Sequence, residues 1–136
     1  CLTEHLDVTH PTDWERVMDL ALEKFGALDV LVNNAGVIVP GFAESLTVRD
    51  IDVQIAVNLS GVLYGSRLAA QVMLRQGHGH LINVASLAGV APIHGLAVYS
   101  ATKAAVRNFT IAIAHELRQR GVAVSVVCPD LVNTAM

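Results

Sequence analysis

Hydrophobic positions along this chain fall into short strand-like runs separated by longer segments with helical spacing. Apolar runs at residues 28–32, 81–84 and 122–128 are too short for buried helices and too continuous for half-exposed strands. Such runs suit strands covered on both faces, as in a parallel sheet layered by helices. Leu6-Asp7-Val8 reads as a short strand end, and Thr12-Asp13-Trp14-Glu15 has the spacing of a capping box that opens a helix over 12–25, stopped by Gly26. A strand over 28–33, a loop through Pro40-Gly41 and a second cap, Thr47 with Asp50, lead into a long helix over 47–76 that ends in Gly77-His78-Gly79. A strand over 80–86, a loop over 87–98, a helix over 99–120 and a last strand over 122–128 complete the pattern. Strand and helix alternate throughout, which predicts a parallel α/β sheet.

Both long helices carry apolar residues on more than one side. Val62, Leu63, Leu68, Ala69, Val72, Met73 and Leu74 cover more than one face of the first, and Ala104 to Ala114 nearly encircle the second. A helix apolar all round must be buried all round. One side can pack on the sheet, and the other is expected to meet a second subunit through helices 47–76 and 99–120, giving a homodimer or homotetramer.

Composition narrows the class. The length of 136 residues suits one domain, and 53% hydrophobic with 15% charged residues leaves a buried sheet or a membrane span to explain the apolar content. No run reaches the roughly 18 apolar residues of a spanning helix, so the sheet is the expectation. A net charge of −3 without a basic cluster argues against nucleic acid or an anionic membrane surface. The two cysteines make no disulfide framework; Cys128 sits in the last apolar run as a small hydrophobe, and a reduced cytoplasmic setting is expected. Of the six histidines, His78 and His80 flank Gly79 without a carboxylate or cysteine at ligand spacing, so no metal site is expected.

The densest chemistry lies in Tyr99-Ser100-Ala101-Thr102-Lys103. Residues four apart on a helix are neighbours, which places the Lys103 ammonium beside Tyr99. A cation favours the phenolate over the phenol, and a tyrosine so placed can serve as a general acid or base. Ser86 ends a strand thirteen residues upstream, at the strand terminus where open α/β sheets bind ligands. Together the three form a proton-transfer constellation for an alcohol or carbonyl. Asn33-Asn34-Ala35-Gly36 also ends a strand, where small residues allow a ligand near the backbone. Asn58 falls in an apolar stretch and needs a partner when buried.

In order and separation, Asn33-Asn34-Ala35-Gly36, Asn58, Ser86, Tyr99, Lys103 and Cys128-Pro129…Thr134 resemble the landmarks of the short-chain dehydrogenases/reductases. The resemblance covers essentially the whole chain and implies a doubly wound, Rossmann-like parallel sheet binding NAD or NADP. It makes Tyr99 the acid/base, has Lys103 also hold the nicotinamide ribose, and has Ser86 orient substrate. Asn58 would support a water linking Lys103 to solvent. Asn34, Ala35 and Gly36 would line the adenosine ribose, Asp7 and Val8 would meet the adenine, and Thr134 would bond the carboxamide. It also points to subunit pairing through the two long helices.

Three departures stand out. Asp130 replaces the glycine that follows proline in the family, so it either tunes substrate specificity or serves as a turn residue. Ala85 stands where a second serine is frequent. No glycine-rich phosphate turn is found, so residues 1–136 are expected to be part of a single NAD(P)-binding and catalytic domain, lacking the first βα units and the C-terminal segment. On that reading the isolated chain is inactive and does not fold cooperatively. His94 lies five residues before Tyr99 in the loop facing substrate and is either a contact or plain loop. The function implied is an alcohol–carbonyl oxidoreductase acting on a small-molecule substrate. The alternatives are a non-catalytic dinucleotide sensor and an isomerase or dehydratase using bound nicotinamide transiently.

Overall fold

A computed structural model describes residues 1–130. Helix α1 (Pro11–Phe25) precedes strand β1 (Val30–Asn33). Helix α2 (Val48–Ile55) continues through a π-helical turn (Ala56–Ser60) into α3 (Gly61–Gln76). Strand β2 (Gly79–Val84), a 3-10 turn (Leu87–Gly89), α4 (Ala97–Leu117), a second 3-10 turn (Arg118–Arg120) and β3 (Val122–Val127) follow. The strands form one sheet in the order β1-β2-β3, all parallel, with Asn33 opposite Asn83 and Gly79 opposite Val122. Long helical crossovers between parallel neighbours explain the strand–helix alternation.

Among the described residues the helices lie on one face of this sheet. Met18 of α1, Ala69, Val72 and Met73 of α3, Leu81 of β2, Leu117 of α4 and Val122 of β3 form one core cluster. Val62, Ala85 and Val106 form a second, nearer the C-terminal strand ends. On the opposite face Val30, Val32 and Val127 are exposed, because no described helix lies there.

Several element ends differ from the sequence expectation. Leu6, Asp7 and Val8 form no strand, since no described strand lies alongside to complete a ladder. Pro11 begins α1, with His10 as its N-cap, so Thr12 lies inside the helix and makes no cap. The Asp7 N–H instead donates to Asp13 Oδ2 at 3.0 Å. The second expected cap is present: Asp50 N–H donates to Thr47 Oγ1 at 3.2 Å, and Thr47 N–H to Asp50 Oδ2 at 2.9 Å. α4 begins at Ala97, so Tyr99 lies within its first turn. No helix among the described residues is long and apolar enough to cross a membrane.

A polar chain crosses the covered face between the two clusters. Asn33 Nδ2 donates to Asn83 Oδ1 at 2.8 Å and to Ser66 Oγ at 3.1 Å. Asn83 Nδ2 donates to Thr110 Oγ1 at 2.9 Å, and Thr110 Oγ1 donates to Val106 O at 2.6 Å. These side chains are buried, and the chain ties β1, β2, α3 and α4 together just below the strand ends.

Candidate active site

Asn58 organises one wall of the site from inside the π-helical turn. Gly61 N–H reaches Ala56 O there, five residues back, which widens the helix by one residue. The Asn58 amide is fully buried: its Oδ1 accepts from Val37 N–H at 2.8 Å and its Nδ2 donates to Val37 O at 2.8 Å. Nδ2 also donates to Thr102 Oγ1 at 3.3 Å, and that hydroxyl donates to Tyr99 O at 2.7 Å. Asn58 therefore joins the segment after β1 to the first turns of α4.

Lys103 forms the floor. It is 3% exposed, its Nζ donates to Val84 O at the end of β2 at 2.9 Å, and it lies 5.8 Å from the centre of the Tyr99 ring. Burial pushes the Lys103 ammonium below its ordinary pKa, because desolvation disfavours the charged form. A Cβ at Gly36 would lie 3.5 Å from both Lys103 Nζ and Asn58 Oδ1. The glycine leaves a hollow against the ammonium, and two of the three ammonium donors remain beyond the bond to Val84.

Ser86 follows β2 in extended backbone and caps the 3-10 turn; its Oγ accepts from Ala88 N–H at 3.1 Å. Leu87 N–H donates to Pro129 O at 2.8 Å, holding this turn to the segment after β3. Gly89 seats it on α4: a Cβ there would come within 2.6 Å of the Lys103 carbonyl carbon and 2.8 Å of Ala104 N. The loop beyond is pinned at Ile93 N–H, which donates to Ser100 Oγ at 3.3 Å, and at Gly41 N–H, which donates to Gly95 O at 2.8 Å.

The remaining candidates fall in two groups. Val8, Asn34 and Ala35 line one cavity of about 260 Å³, whose floor includes Gly61. Val8 approaches so closely that a Cβ on Gly61 would meet it at 2.9 Å. Asp7 turns its Oδ1 to Thr9, accepting from N–H at 2.9 Å and from Oγ1 at 2.7 Å, and these bonds hold its carboxyl below the usual range. His94 is exposed in the loop ahead of α4, and Asp130 directly follows the Pro129 carbonyl bound to Leu87. Thr134 lies outside the described residues. Among the described residues no group of three His, Cys, Asp or Glu side chains is placed to hold a metal.

Sequence reasoning missed Gly89, Thr102 and the chain from Asn33 to Thr110. Their roles depend on contacts across 14 to 50 positions. Local spacing does not reveal such contacts. Tyr99 and Lys103 thus lie together on the first turns of α4, with the Lys103 ammonium at the end of β2, from which Ser86 follows.

A family model described as short chain dehydrogenase matches residues 2–136. The chain is 41% identical over 132 residues to a 3-alpha-(or 20-beta)-hydroxysteroid dehydrogenase of Mycobacterium tuberculosis (strain ATCC 25618 / H37Rv), covering 97% of this chain and 51% of that protein. It is 38% identical over 130 residues to an uncharacterized oxidoreductase of Staphylococcus aureus (strain N315), covering 96% and 56%. Among solved structures, a short chain dehydrogenase/reductase from Burkholderia phymatum in complex with NAD superposes with a TM-score of 0.93 at 36% identity, over 96% of this chain and 48% of that one. ElxO with NADP bound gives a TM-score of 0.94 at 29% identity, over 97% and 54%. The chain spans about half the length of the curated relatives it matches.

Proposed function

This chain belongs to the short chain dehydrogenase family, and from that premise we propose that it carries the catalytic wall of an NAD(P)-dependent oxidoreductase interconverting an alcohol and a carbonyl. The observation behind this reading is the buried Lys103 ammonium, fixed by Val84 O beside the Tyr99 ring and facing the hollow at Gly36. A cation taken out of water is expensive unless partners compensate it. The hollow at Gly36 is where further partners, the hydroxyls of a ribose, are accommodated.

The residues present fit a nicotinamide dinucleotide on two counts. Lys103 has donors to spare toward the hollow, and Val8, Asn34 and Ala35 border a cavity suited to the adenosine end, with Asp7 next to it. Thr134 is assigned to the carboxamide. The bound nicotinamide supplies hydride exchange with the substrate carbon. Tyr99 gives a proton to the carbonyl oxygen or takes it from the alcohol. Ser86 Oγ already accepts from Ala88 N–H, so its own hydrogen is available to hold the same oxygen. Lys103 places its charge beside the Tyr99 ring, favouring the deprotonated form during alcohol oxidation. Asn58 holds the segment at Val37 against the site, and the wider π-helical turn around it is the place assigned to the water that links Lys103 to solvent.

Two copies would pair through helices 47–76 and 99–120, where the outward side of α4 leaves Ala101, Ile111 and Ala112 exposed. The two alanines leave room for a second helix to approach closely.

The test of the chemistry is Tyr99→Phe in the full-length protein. The variant should lose at least 10²-fold in turnover, the usual worth of one general acid/base. Binding of NAD(P)H, followed by fluorescence, should persist. A variant retaining more than a tenth of the wild-type rate refutes the assignment.

A further inference from the structure

The segment that follows Ser86 exposes three large aliphatic side chains within seven residues: Leu87 at 42%, Val90 at 54% and Ile93 at 49%. This is not loose chain. Its backbone is fastened to Pro129 O through Leu87, to Ser100 Oγ through Ile93 and to Gly41 through Gly95. Gly41 also makes a parallel bridge to Leu96, joining it to the segment at 37–41, where Ile38 is exposed as well. Holding aliphatic groups rigidly in water next to a reactive hydroxyl and phenol is unfavourable unless something apolar covers them.

Charge narrows what that something is. Residues 35–43 and 85–102 contain no Asp, Glu, Lys or Arg. Lys103, which follows the second segment, is buried and bonded to Val84 O. Arg107 lies one turn further down α4, where it bonds Asn108. Neither segment therefore offers an exposed guanidinium or ammonium to meet a carboxylate or phosphate.

We infer that the substrate is an uncharged alcohol or ketone with a bulky apolar body, which lies along Leu87, Val90 and Ile93 while its oxygen meets Ser86 and Tyr99, and that anionic substrates are turned away. This rests on the oxidoreductase reading and adds the chemistry of the substrate to it.

The experiment compares cyclohexanone, 2-decalone and 4-oxocyclohexanecarboxylate as substrates of the full-length protein with NAD(P)H, and measures binding of each by ligand-observed NMR. Each methylene buried should raise kcat/KM up to about fourfold, so 2-decalone should exceed cyclohexanone by at least tenfold and the keto acid should fall at least tenfold below it. Ile93→Lys, or Val90→Lys if the first misfolds by circular dichroism, should weaken 2-decalone several-fold and raise the keto acid. A wild-type preference for the keto acid, equal rates for the two neutral ketones, or an unchanged ratio in the lysine variants overturns the inference. If none of the ketones is reduced at all, the oxidoreductase reading is what fails. The NMR arm then still decides the inference: selective binding of 2-decalone that the lysine variant weakens supports it, and the lack of such binding overturns it.

Discussion

Gly89→Ala in the full-length protein isolates the seat between the Ser86 turn and α4. The added methyl would stand 2.6 Å from the Lys103 carbonyl carbon and 2.8 Å from both Ala104 N and Lys103 O, against about 3.4 Å for ordinary contact. All three neighbours are helix backbone, so no side-chain rotation relieves the clash and the turn must move away by about 0.8 Å. Overpacking of this kind typically costs about 1–3 kcal/mol. Displacements near 1 Å in a catalytic group lower rates by up to about 10²-fold. The variant should therefore remain folded with its denaturation midpoint lowered by an amount in that range, while kcat falls 10- to 100-fold and NAD(P)H affinity changes less, since Gly36 and Asn34 are untouched. Urea titration, steady-state kinetics and cofactor titration measure the three quantities. A variant with wild-type kcat and stability would refute the seating argument, and one with wild-type kcat but reduced stability would show that the position of Ser86 does not depend on Gly89.

Two further outcomes follow from burial. Because desolvation holds Lys103 below its ordinary value of 10.5, the unfolded chain binds more protons than the folded one between the folded value and 10.5. Stability gains a rising contribution with pH across that window, and Lys103→Met should remove it; identical pH slopes for the two proteins in urea denaturation would contradict this. Ile113 packs against the core cluster whereas Ile111 is 39% exposed, so in the full-length protein Ile113→Glu should unfold the domain and Ile111→Glu should leave it folded but dissociate the proposed oligomer. Sedimentation with circular dichroism separates these, and a folded, unaltered oligomer of Ile111→Glu would defeat the pairing through α4.

Local chemistry was legible where one element supplies both partners. The spacing of Tyr99 and Lys103 within α4, the position of Ser86 after β2 and the reciprocal cap of Thr47 and Asp50 all follow from residues close in sequence. The Thr12–Glu15 cap failed because Pro11, with no N–H to satisfy and φ already helical, starts α1 two residues earlier. The strand at 6–8 failed because a strand exists only beside another. The π-helical turn was not readable at all: Ala56 to Ser60 suits an ordinary helix, and the wider turn coincides with a demand from elsewhere, the Val37 backbone that Asn58 holds. The all-round apolar character of α4 was correctly seen, but which residues face the sheet depended on packing, and Ile113 is on the inward side.

The paired asparagines of β1 and β2 bear on how the sheet finds its alignment. Residues 30–32 and 81–82 are apolar on both faces, so they supply no alternation of polar and apolar positions by which one offset is told from the next. Asn33 and Asn83 sit opposite each other in the ladder and share a hydrogen bond. An offset of one residue would turn one amide to the other face, away from the polar chain through Ser66 and Thr110, and would break the Asn33–Asn83 bond. Two residues of offset would separate them by more than a hydrogen bond can span. The pair thus works as a vernier mark, accepting a single setting of β1 against β2, and Thr110 carries that setting into the helix on which Tyr99 and Lys103 ride.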